Sequence, residues 1–251
     1  MAGLFNRLFQ GRKAQERAEP VRVEMPPLAV ERPIAIIGDL HGCYELTQGL
    51  LTKIQGLAPD AELVFVGDYV DRGENSAEVL RLLMDMPDAV CLKGNHEQMM
   101  LDFLENPEEK GARWLRYGGL QTVASFGCTT PVDQLRALRD EVLEAMGDDM
   151  VHWMQYLPLM HINGNLSVVH AAAHPEHPIT AQDENTLMWG HPKFEHIGRQ
   201  DGIWVAHGHT IVQIPTVQNG RIAVDTGAYA TGKLTAAIIQ KTEVEFCQIR
   251  G

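Results

Sequence analysis

Between Ile34 and Glu97 the chain repeats one pattern three times: a short apolar run, an abrupt Gly-Asp or Gly-Asn stop, and a stretch with helical periodicity. The runs are Ile34 to Ile37, Leu63 to Val66 and Val90 to Lys93; the periodic stretches are Tyr44 to Ile54, Ser76 to Met84 and His96 to Leu104. Apolar runs without alternation fit strands covered on both faces. Strands alternating with helices imply crossover connections and a parallel sheet, so the chain starts as an α/β fold. A helical middle comes next, Ala112 to Ser125 and Val132 to Met146, and then a strand-rich part. Its strands are Leu159 to Ile162, Leu166 to His170, Gly202 to His207, Thr216 to Val217, Arg221 to Asp225 and Leu234 to Gln240. Asn163-Gly164 is a strong hairpin signal between the first two. A sheet-on-sheet sandwich with helices outside accommodates all of these elements.

The loops at the ends of the early strands are more telling than the strands themselves. The first strand ends in Gly38-Asp39-Leu40-His41-Gly42, the second in Gly67-Asp68-Tyr69-Val70-Asp71-Arg72-Gly73, the third in Gly94-Asn95-His96-Glu97. In open α/β sheets ligands bind beyond the carboxyl ends of strands, so Asp39, His41, Asp68, Asp71, Asn95 and His96 are expected in one crevice. Later strands add His170 and the pair His207 and His209. One Gly-Asp is most often a turn or a helix cap. Three consecutive strand ends so furnished, with distant histidines to match, point instead to a metal centre. Carboxylate, imidazole and amide donors without thiolate suit Mn, Fe, Zn or Co. Asp68, between the other two loops, is placed to bridge two ions, and a pair ~3.5–4 Å apart clamps a phosphoryl oxygen and acidifies a water.

The blocks Gly38 to Gly42, Gly67 to Gly73 and Gly94 to Glu97 resemble the three motifs of the PPP-type metallophosphoesterases. Val169-His170-Ala171, Gly208-His209-Thr210 and Asp225-Thr226-Gly227-Ala228 are similar to the later ones. Lys93 to Met100 and Trp114 to Gly119 bring the likeness nearest to bacterial and phage serine/threonine protein phosphatases of the lambda phosphatase type. The resemblance runs from about Ile34 to Gln240. It implies an α/β fold: a β-sandwich of two mixed sheets flanked by helices, with the metal site at strand C-terminal ends. It also implies two divalent metal ions, Mn foremost, one held by Asp39 and His41 and the other by Asn95, His170 and His209, with Asp68 bridging. His96 is implied as general acid and Asp71 as its carboxylate partner, the pairing that keeps an imidazole protonated near neutrality. Arg72 would hold the non-bridging phosphate oxygens through its planar fork. Asn95 and His191 complete the implied substrate contacts, and a metal-bridging hydroxide would attack phosphorus directly.

Some residues depart from that pattern. Lys93 stands where relatives usually carry arginine, and His191, in Leu187-Met188-Trp189-Gly190-His191, stands where a second phosphate-binding arginine is usual. His191 retains one hydrogen bond to give, or Lys193 or Arg199 substitutes. His207 is at best a neighbour of the ligands, and His174, His177 and His196, in a proline-bearing loop, read as solvated. Gly227 to Lys233 matches the phosphate-binding P-loop except that Leu234 replaces Ser or Thr. A P-loop opens a helix. Leu234 to Gln240 reads as a strand, so the segment is expected to be a hairpin connection without nucleotide.

Charge and length narrow the partners. Lys and Arg number 21 against 33 Asp and Glu, a formal net charge of -12, which disfavours non-specific grip on nucleic acid. Two divalent ions bring about +4 against two ligand carboxylates and one hydroxide, enough to attract phosphate despite the acidic exterior. No apolar stretch approaches the about 20 residues of a bilayer-spanning helix, so no transmembrane segment is expected. The four cysteines, Cys43, Cys91, Cys128 and Cys247, are scattered without a Cys-x-x-Cys pair and suit reduced thiols. With no secretory pattern, the cytoplasm is the expected compartment. Residues 1–33, rich in proline toward their end, read as an N-terminal appendage or linker, and residues 34–251 as the catalytic domain. Within the appendage, residues 4–9 carry Leu4, Phe5, Leu8 and Phe9 near basic side chains, a combination that can touch a membrane surface or a partner.

Three functions compete on this reading. The leading one is a metal-dependent phosphatase for phosphomonoesters, with phosphoserine and phosphothreonine of proteins, or a small phosphoester, as substrate. The second is a dinucleoside-tetraphosphate hydrolase acting on a phosphoanhydride. The third, suggested by His191, is a weakly active protein that binds phosphorylated partners.

Overall fold

The computed structural model describes residues 24–251, so the expectation for residues 4–9 falls outside the described part. Two five-stranded sheets face each other. In the first, β1 (Ile34–Ile37) pairs parallel with β2 (Glu62–Phe65), and β2 pairs parallel with β3 (Val90–Cys91). On the other flank β9 (Lys233–Gln240) runs antiparallel to β1, and β10 (Glu243–Arg250) antiparallel to β9. The second sheet is built from β4 (Met160–Asn163), β5 (Leu166–Val169), β6 (Trp204–His207), β7 (Thr216–Gln218) and β8 (Arg221–Ala223). β5, β6 and β8 run parallel, with β4 and β7 antiparallel at the edges. Both sheets are therefore mixed, as expected.

Alternation along the strands assigns the layers, because successive side chains leave opposite faces of a sheet. Ile34, Ile36, Val64 and Val66 join Leu166, Val168, Ala206, Ile222 and Val224 between the sheets. Ala35, Ile37 and Phe65 face outward onto helices α1 (Tyr44–Leu57), α2 (Ser76–Met84) and α3 (Asn95–Glu105). The outer face of the second sheet meets Ile179, Leu187 and Phe194. Among the described residues, no helix is long and apolar enough to cross a membrane.

Several boundaries differ from expectation for local reasons. The helix expected over Ala112 to Ser125 starts earlier, as α4 (Pro107–Trp114), because proline suits the first helical position. It is then interrupted by a π-type turn, Leu115–Gly119, before α5 (Leu120–Ser125). The break sits at Gly118, whose φ of 118° lies outside the helical range. The next helix is shorter than expected, α6 (Leu135–Met146), and α7 (Asp148–Gln155) comes after it, divided by Gly147 at φ 74°. α8 (Glu184–Trp189) was not legible, and neither was β10, whose alternating Glu and apolar residues make a half-exposed edge rather than an apolar run. The segment from Gly227 is not a hairpin connection: β8 and β9 belong to different sheets, and the link carries one helical turn, α9 (Ala228–Thr231), before β9 begins.

The last residues of the expected appendage are tied to the second sheet. Asn163 Oδ1 accepts from the Glu31 and Arg32 amides at 2.7 and 3.3 Å, and Asn165 Oδ1 accepts from Ala29 N at 2.7 Å. Trp204 Nε1 donates to Pro26 O at 3.0 Å, and Leu28 is buried among the apolar residues between the sheets. A boundary after residue 33 therefore cuts through packed chain. Leu28→Ala is expected to destabilise the protein by about 2–4 kcal/mol in urea unfolding, the usual penalty for emptying a buried leucine site. A change within about 0.5 kcal/mol would mean that the segment frays.

Candidate active site

Five parallel strands, β1, β2 and β3 from one sheet and β5 and β6 from the other, release their loops at the same end of the sandwich, and β8 adds Asp225. Asp39, His41, Asp68, Asp71, Asn95, His96 and His170 are all buried, though every one is polar or ionisable. Among the described residues, two groups of side chains converge closely enough to hold a metal ion: His41, Asp68 and His96, and Asp68, His170 and His209. Asp68 belongs to both. The Asp39 carboxylate accepts from His209 N at 3.1 and 3.2 Å, so the first and sixth strands are joined through a candidate ligand.

The backbone is bent to make this possible. Of the seven described non-glycine residues with positive φ, five are His41 (41°), Asp68 (53°), Asp71 (71°), Arg72 (69°) and His209 (61°). Side chains with a Cβ reach that region at a cost, and such conformers persist where the surroundings enforce them. One enforcer is Glu97. Its buried carboxylate accepts from the amides of Asp68 (2.8 Å), Tyr69 (2.7 Å), Val70 (3.3 Å) and Gly94 (2.9 Å), clamping the second and third loops together. Gly67 lets those loops touch, since a Cβ there would lie 2.6 Å from Gly94 N. The sequence marked Glu97 only as a motif residue; its signal is its place three residues into a helix that starts at a ligand loop.

Hydrogen bonds fix which imidazole atoms are available. His41 Nδ1 donates to Val70 O at 2.8 Å and His170 Nδ1 to Val66 O at 3.0 Å, leaving each Nε2 lone pair turned into the site. Burial pushes His41 down to about 3 and His209 to about 4, and it lowers His170 as well, so all three rings are neutral donors to a cation. His170 Nε2 stands 2.9 Å from Asn95 Oδ1, two acceptors face to face, an arrangement that a cation between or beside them relieves. The carboxylates tell the same story. Burial, then Asp225 and Asp68, push Asp39 well above the usual range. Burial raises Asp225 to about 6 and Glu97 to about 7, with the Asp68 charge adding to both. Burial also opposes ionisation of Asp68, but His170, His96 and His41 overcome it and hold that group below the usual range. Nitrogen and oxygen donors without thiolate, gathered around crowded buried acids, fit divalent cations.

Beside the metal-competent groups lies an acid–base pair. His96 Nδ1 donates to Asp71 Oδ2 at 2.6 Å. Asp71 in turn accepts from Trp114 Nε1 at 3.0 and 3.1 Å and from Thr122 Oγ1 at 2.8 Å, while its own amide donates to Thr122 Oγ1 and Ser76 Oγ. Burial raises Asp71, yet this many donors favour its ionised form. Burial opposes a charged His96, but Asp68 and Asp71 outweigh it and raise the ring above the ordinary histidine value, so we assign the proton to His96. Trp114 and Thr122 enter from the helical middle of the chain, and no spacing in the sequence connects them to Asp71. Arg72 completes the group: one terminal nitrogen donates to His41 Nε2 at 3.1 Å, and the other lies 3.0 Å from His96 Nε2.

Other expected residues are engaged by neighbours of their own. His191 lies 4.2 Å between ring centroids from His174, tilted by 50°, while His174 stacks on His177 at 3.9 Å, and His191 Nδ1 accepts from Lys193 N. His174 is half-buried in this cluster rather than solvated, whereas His177 and His196 are exposed as expected. The proposed substitutes for an arginine at His191 are engaged: Lys193 pairs with Glu176, and Arg199 is buried, pairing with Asp201 and donating to the carbonyls of His174 and His177. His207 packs its ring against Phe194, with Nδ1 on Gly208 O. All four cysteines are free thiols.

Comparison with known proteins agrees with this picture. Residues 32–213 match the family described as Calcineurin-like phosphoesterase. The asymmetrical bis(5'-nucleosyl)-tetraphosphatase PrpE of Bacillus mycoides is 29% identical over 231 residues, covering 80% of this chain and 87% of that protein. The serine/threonine-protein phosphatase 2 of Escherichia coli is 30% identical over 220 residues, covering 81% and 91%. A protein serine/threonine phosphatase from Saccharomyces cerevisiae with similarity to human phosphatase PP5 shares the fold, with a TM-score of 0.57, 17% identity, and coverage of 93% of this chain and 84% of that one.

Proposed function

Because the chain belongs to the calcineurin-like phosphoesterases, we propose that it is a metal-dependent phosphatase of phosphomonoesters, with phosphoserine and phosphothreonine in proteins as its substrate class. The observation that carries this reading is that Asp68 is common to two metal-competent groups, one of which includes His96, the partner of Asp71, with Arg72 beside it. Asp39, His41 and Asp68 would hold one divalent ion, and Asp68, Asn95, His170 and His209 the other, with Mn the first candidate. Bound there, the ions would supply positive charge for phosphoryl oxygens and an attacking water acidic enough to ionise near neutrality.

The chain's own groups do the rest. Arg72 offers a planar pair of donors for non-bridging phosphate oxygens. His96 carries a proton on a ring held by Asp71 and delivers it to the departing alkoxide. Trp114 and Thr122 keep Asp71 ionised and aimed at Nδ1 while the proton moves. A serine or threonine alkoxide is a poor leaving group, and a positioned acid is the remedy. The second reading is a phosphoanhydride substrate, because proteins named for tetraphosphate and for phosphoprotein hydrolysis are similar to this chain to nearly the same degree. His191, which follows α8 and packs against His174, is proposed as an accessory phosphate contact in either case.

One assay panel separates the readings. Purified protein is chelated exhaustively, then given Mn and offered an aryl phosphate, a phosphoserine peptide and a dinucleoside tetraphosphate. The expected result is loss of all turnover on chelation, recovery with Mn, and the highest kcat/KM for the peptide. Turnover that survives chelation would remove the metal-dependent reading. A preference for the tetraphosphate would move the substrate class to phosphoanhydrides.

A further inference from the structure

Among the described residues, the guanidinium of Arg72 meets His41 Nε2, His96 Nε2 and the ring of Tyr229, whose centroid lies 4.9 Å from Arg72 Cζ. The first two contacts use atoms that the proposed reaction needs elsewhere. His41 Nε2 presents a lone pair to a metal, and a lone pair so used accepts no N–H. His96 Nε2 is the ring nitrogen turned away from Asp71, so in the proposed reaction it faces the substrate and not the guanidinium. In the working site Arg72 therefore gives up both contacts, and what remains is Tyr229.

Tyr229 is built to stay in place. It sits on the one-turn helix Ala228–Thr231, between Gly227 and Gly232 at φ 69° and 66°. Gly227 N donates to Asp225 Oδ1 at 2.8 Å, and Thr231 Oγ1 bonds the carbonyls of Thr226 and Gly227 at 2.8 and 3.0 Å. Ile211 closes over the turn, its side chain 3.1 Å from where a Cβ on Gly227 would be. The ring meets His41 edge-on, 5.2 Å between centroids at 81°, and is 39% exposed.

We propose that Tyr229 is a positioning residue: its ring is the shelf that carries the Arg72 guanidinium over the phosphate once His41 and His96 release it. The contact is a cation held over an aromatic face, which leaves every N–H of the fork free in the plane for phosphate oxygens. The root of the side chain is fixed separately, since Arg72 N donates to Gly118 O at 3.2 Å. Only the head needs a support.

The inference rests on the reading of Arg72 as a phosphate contact, and the test keeps the two apart. On Mn-loaded protein, Tyr229→Leu is expected to raise KM for an aryl phosphate, and the Kd of inorganic phosphate by calorimetry, by about 3- to 30-fold, the range of one cation–π contact. Most of the loss should fall in KM rather than kcat, the metal-induced rise in Tm should be unchanged, and Tyr229→Phe should restore phosphate affinity. Tyr229→Leu added to Arg72→Ala should weaken phosphate no further, because the shelf has nothing left to carry. If Arg72→Ala weakens phosphate and Tyr229→Leu does not, the shelf is wrong and the reading of Arg72 stands. If the two losses add, Tyr229 acts by another route and the inference fails. If Arg72→Ala has no effect, the reading of Arg72 itself fails.

Discussion

Asp68→Asn is expected to reduce Mn-dependent turnover by at least about 100-fold while leaving the metal-free protein folded. Removing groups that merely orient a ligand costs about 10- to 100-fold in metal affinity or activity, and this substitution neutralises the carboxylate common to both metal-competent groups. The fold should survive because an asparagine side chain keeps one oxygen for the bond that Asp68 Oδ1 accepts from His96 N at 3.0 Å. The Tyr69 and Gly94 amides stay on Glu97 regardless. Two readouts decide it. The Tm of the metal-free variant should lie within a few degrees of the parent, and the rise in Tm that Mn gives the parent should shrink sharply, since a ligand stabilises only as far as it binds. A variant that gains the same Tm with Mn and turns over normally would remove Asp68 from the metal site.

The second large effect separates proton donation from metal binding. His96→Asn should lower kcat by about 100- to 10,000-fold on a phosphoserine peptide, the usual worth of a positioned general acid. On an aryl phosphate with an electron-poor phenol the loss should be much smaller, because that leaving group departs without a proton. Asp71→Asn should show the same substrate dependence, since its carboxylate acts on the reaction only through His96 Nδ1 at 2.6 Å. Equal losses on both substrates would assign His96 to the metal instead. The geometry makes that alternative concrete: His96 stands with His41 and Asp68 in one of the two metal-competent groups.

Much of this was legible because strand-end chemistry is local. Gly38-Asp39-Leu40-His41, Gly67-Asp68 and Gly94-Asn95-His96 each place a donor within a few residues of a buried strand, and parallel strands leave their carboxyl ends no choice but to share an edge. The apolar runs located β1 and β2 within one residue for the same reason. Errors collected where the local signal was neutral. β10 alternates charge with apolar residues at an edge, α4 was hidden by its glutamates, and residues 26–32 looked like linker because prolines and polar groups bind the end of a sheet by hydrogen bonds that leave no periodicity.

The donor types, their order along the chain and the acidic crowding that calls for a cation are set by the amino-acid sequence, since each depends on residue identity and on neighbours a few positions away. The tertiary structure alone decided which atoms face which. It set Trp114 and Thr122 on Asp71 from 43 and 51 residues away, drew His191 against the His174 ring, and laid Tyr229 beneath Arg72. Contacts of that kind depend on how two sheets and a helical layer close on each other. Packing selects them through the whole shape of the core, and no short stretch of chain encodes it.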